Sequence, residues 1–116
     1  MAHLNKEHTD RGYLSLSDTE RSFIKNNATV LSLWIIAKQL KRVPDEIQGY
    51  HNAILSYMGW YELCTMTFGR HKYSELKSVP IGYLKWCVKN NVVKNKVLRT
   101  AMESVYRQWV RKHGEP

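Results

Sequence analysis

The sequence predicts a mainly α protein: three helices, a short strand and turn, then two further helices. Three observations carry this. Apolar residues recur at helical spacing in five stretches. Each of those stretches opens on a residue suited to a helix start, namely Ser17, Ser32, Pro44, Pro80 and Asn95. Only one short run, Thr65 to Phe68, alternates in the way a strand does. The chain has 116 residues, 43% hydrophobic and 24% charged, so it has the composition to bury a core as one domain or two very small ones.

Residues 1–15 are polar and aperiodic and read as a flexible N-terminal arm with a turn near Gly12. Ser17-Asp18-Thr19-Glu20 is a capping box, in which the serine oxygen and the Glu20 carboxylate each satisfy the other residue's amide. The first helix should run from there to about Asn27 and bury Phe23 and Ile24. A second helix starts near Ser32, with Leu33, Ile36, Ala37 and Leu40 as its apolar stripe. Lys38, Lys41 and Arg42 lie at its C-terminal end, where positive charge complements the helix dipole. Pro44 suits the first turn of a third helix. Ile47, Tyr50, Ile54, Tyr57 and Met58 then share one face, and Gly59 ends or bends it.

In the second half, Met66 and Phe68 alternate with threonines ahead of a turn at Gly69. Ser78-Val79-Pro80 opens a helix with Ser78 or Val79 near the cap, burying Tyr83, Leu84, Cys87 and Val88. Asn90-Asn91 breaks it. Asn95 caps the last helix, which reaches about Lys112 with an apolar stripe of Leu98, Ala101, Met102, Val105 and Trp109. Trp34, Trp60, Trp86 and Trp109 are expected to mark the core and its rim; the alternative is that aromatics interleaved with lysines stack the bases of single-stranded nucleic acid. The expected organisation is an arm over 1–15, a helix-turn-helix-like unit over 16–58 and a basic strand-turn-helix-helix unit over 59–116, packed as one compact domain.

Charge is unevenly distributed. The net charge is +8, and residues 59–116 hold 11 Lys/Arg against 4 Asp/Glu, a net of +7. A basic half-chain points to a polyanionic partner, nucleic acid before membrane. No stretch approaches the roughly 20 apolar residues that span a bilayer, and the N-terminal residues have no apolar run. The expected location is the cytoplasm of a bacterial cell or phage-infected host, with Cys64 and Cys87 as buried thiols.

Several kinds of chemistry find no support. Cys64, His71, Cys87 and His113 form no C-x-x-C or H-x-x-x-H arrangement, so no metal site is expected. Glu62, Glu75, Glu103 and Glu115 are too widely spaced to suggest a two-metal nuclease. No phosphate-binding G-x-x-x-x-G-K occurs, and no nucleophile has an identifiable partner. The expectation is a protein without enzymatic activity or cofactor.

Two resemblances sharpen this. Phe23-Ile24-Lys25-Asn26, Ser32, Ile36-Ala37, Leu40, Arg42 and Ile47 resemble helix-turn-helix segments of phage and bacterial DNA-binding proteins, including those attached to some homing endonucleases, over about residues 16–55. Lys41 stands where that pattern usually has the glycine of the second turn. The resemblance implies that the third helix reads DNA. Gln48, His51 and Asn52 are then the base-reading candidates, read as an exposed face whose Gln and Asn chemistry suits adenine. Asp45 and Glu46 would repel phosphates, and the alternative is a three-helix scaffold that packs on the other half and never touches DNA.

Met66, Phe68, Gly69, Arg70, Lys72, Leu76, Val79, Pro80, Tyr83, Leu84 and Trp86 resemble a second pattern, over about residues 65–90. It occurs as a small C-terminal domain of some prokaryotic DNA exonucleases. It also occurs in stand-alone bacterial and phage proteins, some labelled quorum-sensing-regulated virulence factors. Tyr73 replaces that pattern's second glycine. The resemblance implies association with nucleic-acid enzymes.

The leading expectation is a small phage or bacterial DNA-binding regulator or accessory factor, with DNA favoured over RNA. Phosphate contacts are expected from Arg70, Lys72, Lys85, Lys89, Lys94, Lys96 and Arg99, with Lys41, Arg42 and His71 as further candidates. For Lys96, Arg99, Glu103, Arg107 and Arg111 a solvated face, with Arg99–Glu103 and Glu103–Arg107 pairs, is the competing reading. The alternative function is a protein-interaction factor that inhibits or redirects a host enzyme through an exposed aromatic patch.

Overall fold

Capping residues, apolar stripes and left-handed stops place the helices. The structure is a computed structural model that describes residues 15–116. The arm expected over 1–15, with its turn near Gly12, lies outside the described residues except for Ser15. The fold is mainly α, as expected, and divides into two compact units with the boundary between Leu55 and Ser56, close to the expected break after Met58.

In the first unit, α1 (Asp18–Asn27) opens on the expected capping box. The Ser17 amide donates to Glu20 Oε1 at 2.9 Å, and the Glu20 amide donates to Ser17 Oγ at 3.1 Å. α2 (Leu33–Leu40) is capped by Ser32, whose oxygen accepts from the Ile35 amide. α2 stops at Lys41, which adopts a left-handed conformation, φ 56° and ψ 43°. The Arg42 amide donates to the Ala37 carbonyl and the Lys41 amide to the Lys38 carbonyl, the two bonds of a Schellman motif. α3 (Pro44–Tyr57) starts at the proline and ends before Gly59, which has φ +82°. Ile24, Leu33, Ile36, Ile47 and Leu55 form the core of this unit.

The buried face of α3 is not the expected one. It consists of Ile47, Gln48, His51, Asn52 and Leu55, while Tyr57 is almost wholly exposed. This set also has helical spacing, but it places polar side chains inside and an aromatic outside.

In the second unit, a 3-10 turn (Tyr61–Leu63) leads into a loop that returns to a second 3-10 turn (Leu76–Ser78). The expected strand is reduced to one antiparallel bridge, Thr65 with Glu75, and there is no strand among the described residues. Turns at Gly69–Lys72 and His71–Ser74 reverse the chain so soon after Met66 that few residues remain in register. The Met66 amide donates to the Ser74 carbonyl at 2.9 Å, and the Tyr73 amide returns to the Met66 carbonyl at 2.8 Å.

α4 (Ile81–Lys89) is capped by Pro80, not Ser78 or Val79, because the second 3-10 turn takes up Ser78. α5 (Lys96–His113) is capped by Asn95, whose Oδ1 accepts from the Leu98 amide at 2.9 Å. It packs along α4 and both 3-10 turns. Cys64, Met66, Leu76, Leu84, Cys87, Leu98 and Met102 fill the core of this unit. None of the four tryptophans is buried. Trp34, Trp60 and Trp86 are exposed and Trp109 is half-buried, so they do not form the core.

Candidate nucleic-acid interface

Arg70, Pro80, Gly82, Tyr83 and Trp86 converge on one surface of the second unit. Gly69 has φ +75°, a conformation that favours glycine. A β-carbon there would lie 2.7 Å from the Tyr83 hydroxyl oxygen, so the turn also needs glycine for space. This close approach seats the loop tip against α4. Arg70 is exposed at the tip, with its guanidinium carbon 5.9 Å from the centroid of the Tyr83 ring. Tyr83 in turn stacks beside Trp86, with centroids 6.2 Å apart and planes 27° from parallel. Pro80 and Gly82 complete an open groove with these three side chains. The Trp86 indole is exposed beside this groove. Burial and the neighbouring Cys87 push the Tyr83 hydroxyl above its ordinary pKa of 10.0, so the ring stays neutral in ordinary buffers.

The other predicted side chains fall into three groups. Lys89, Lys94 and Lys96 are exposed on or after α4, and Arg99 is half-buried on α5. Lys72 is exposed, with its Nζ 5.1 Å from the centroid of Tyr73. Lys85 is partly engaged: its Nζ lies 3.8 Å from Glu115 Oε1 and donates to the Pro116 carbonyl at 3.2 Å. Glu115 also accepts from the Tyr106 hydroxyl at 2.9 Å. Of the two expected α5 pairs, Glu103–Arg107 is formed at 3.4 Å.

His71 does not reach outward as a phosphate ligand. It stands edge-on to Tyr83, centroids 4.8 Å apart, and its Nε2 is sealed from solvent with no hydrogen-bond partner among the described residues. The ring braces the groove.

The first-unit candidates are corrected. Gln48, His51 and Asn52 are 4%, 2% and 3% exposed, so they cannot read bases from an outer face. His51 Nε2 lies 3.1 Å from the Ala28 carbonyl, which can only accept, so this nitrogen is the donor. Gln48 and Asn52 are likewise engaged with neighbours. Arg42 donates to both Glu20 oxygens at 2.8 and 2.9 Å and lies 3.5 Å from Glu46, so its charge is already matched. Lys41 is exposed, but its position is that of a helix stop.

Neither thiol is poised to react. Burial, followed by the Glu62 charge, pushes Cys64 up to about 12, and burial raises Cys87 as well. Among the described residues, no group of three or more His, Cys, Asp or Glu side chains is placed to hold a metal ion, and no helix is long and apolar enough to cross a membrane.

From the sequence, Tyr83 is expected inside and Trp86 at the core or its rim, and nothing in the sequence joins them to Arg70 as a groove. Compared with models of protein families, with curated proteins and with solved structures, the chain matches none. The two resemblances drawn from its motifs therefore rest on those motifs alone.

Proposed function

We propose that this chain is a non-enzymatic nucleic-acid-binding protein, with DNA the favoured ligand. Its role would be that of a small phage or bacterial regulator or accessory factor acting in the cytoplasm. The observation that carries the reading is Arg70, exposed over Tyr83 and beside an exposed Trp86, on the unit that holds 11 Lys/Arg against 4 Asp/Glu. Guanidinium and ammonium groups hold phosphates, and aromatic faces accept bases. Lys72, Lys89, Lys94, Lys96 and Arg99 supply further positive charge, with Lys85 in reserve behind Glu115. The buried Gln48, His51 and Asn52 play no part in contact and serve the interior of the first unit.

The test is titration of labelled duplex DNA, single-stranded DNA and RNA at low and physiological salt. Binding should be present at low salt and weaken steeply as salt rises, because each neutralised phosphate releases a counterion. Failure to bind any of the three at low salt rules the reading out.

A second reading has its own observation. Val30, Trp34 and Ile35 are 76%, 55% and 47% exposed within six residues of the first unit. Apolar side chains clustered this way suit contact with another protein. A partner retained from nuclease-treated bacterial lysate, and lost on Trp34→Ala, favours a protein-interaction factor.

A further inference from the structure

We infer that the groove between Arg70 and Trp86 takes an unpaired base, so that the ligand is single-stranded. This rests on the nucleic-acid reading above and specifies the form of its ligand. Trp86 is 52% exposed and lines the open groove with Arg70, Pro80, Gly82 and Tyr83. Tyr83 stacks beside it, with His71 edge-on to the tyrosine and the Arg70 guanidinium over its ring, so the exposed Trp86 indole is the face left for a base. These side chains form a shelf on α4, with the Gly69 turn against the Tyr83 hydroxyl. An aromatic shelf gains from contact with the π face of a base. In a duplex, neighbouring base pairs cover those faces, and only the phosphates and groove edges are presented. An unpaired strand offers both its bases and its phosphates. Lys89, one helical turn beyond Trp86 and exposed, is placed for the phosphate next to a stacked base. The shelf presents no row of donors and acceptors that would distinguish one base from another, so the contact is tolerant of sequence.

The experiment compares fluorescence anisotropy of labelled oligothymidylate, an abasic strand of the same length and a duplex of the same length, at one low salt concentration. The abasic strand keeps the phosphates and removes the bases. Oligothymidylate should bind at least about tenfold tighter than either of the others. Trp86→Ala should narrow that gap to within about twofold, while Trp86→Phe, which keeps an aromatic face, should retain most of it. Circular dichroism melts of both variants establish that they are folded. An oligouridylate arm distinguishes RNA from DNA, and preference for either unpaired strand over its duplex upholds the inference. Equal binding of all three DNAs overturns the inference and leaves the nucleic-acid reading standing. Binding of none overturns both.

Discussion

Gly69 and Tyr83 approach so closely that a β-carbon on the glycine would meet the tyrosine hydroxyl oxygen at 2.7 Å. That contact joins the basic turn to α4 and sets Arg70 over the Tyr83 ring. The turn glycine therefore has two roles, one in its own backbone and one in the aromatic shelf beside it.

Gly69→Ala should be destabilising on both counts. It places a side chain at φ +75° and forces Tyr83 to move. The expected loss is about 1–3 kcal/mol of unfolding free energy, read from urea denaturation, together with weaker nucleic-acid binding by the folded fraction. An unchanged midpoint would show that the turn tolerates both.

Gln48→Ala and Asn52→Ala separate interior from interface. Both side chains are buried and engaged. Each substitution should lower stability by about 1–3 kcal/mol and leave the affinity of the folded protein for DNA unaltered. A loss of affinity with stability intact would restore them as base readers.

Lys41 holds a left-handed conformation that glycine adopts without strain. Lys41→Gly should therefore raise stability by about 1 kcal/mol, seen as a higher melting temperature. A lower melting temperature would mean that the lysine side chain contributes more than its backbone costs.

Acid should weaken the first unit through Glu20. The hydrogen bond from Arg42, followed by that from the Ser17 amide, lowers its carboxyl from 4.5 to about 2. A carboxyl depressed in the folded state adds stability that is complete above its unfolded value and lost as pH falls through the folded one. For this partly buried pair at the surface the contribution is about 1 kcal/mol. Glu20→Gln should be less stable by that amount at neutral pH, and the difference should close between pH 4.5 and about 2.

The helices were legible because their signals are local. Ser17 with Glu20, Ser32 and Asn95 cap as read, and the stripes of α2 and α5 largely bury as spaced. The face of α3 was not legible from hydropathy. The Nε2 of the buried His51 pairs with the Ala28 carbonyl, a partner 23 residues away that no periodicity reveals. Lys41 and Tyr73 each stand where a resembling pattern has glycine, and each has positive φ, 56° and 74°. Both residues thus hold a conformation that favours glycine, without the residue that would signal it.

The shelf could have been found from α4 alone. Leu84 and Cys87 fix its inner side, and Trp86, two residues past Leu84, lies about 200° around the helix from it. The expectation that tryptophans mark the core or its rim did not use that geometry. The Gly69–Tyr83 approach itself had no signal in the sequence beyond the glycine.

The central claim is that Arg70 and Lys72 hold phosphates, and the slope of log affinity against log salt tests it most directly. Wild-type protein and an Arg70→Ala/Lys72→Ala variant are titrated with the same labelled strand across a salt series. Each lost phosphate contact on a single strand should reduce the slope by about 0.7, so the variant should bind more weakly with a slope shallower by about 1.4. An identical slope and affinity in the two proteins would contradict the account.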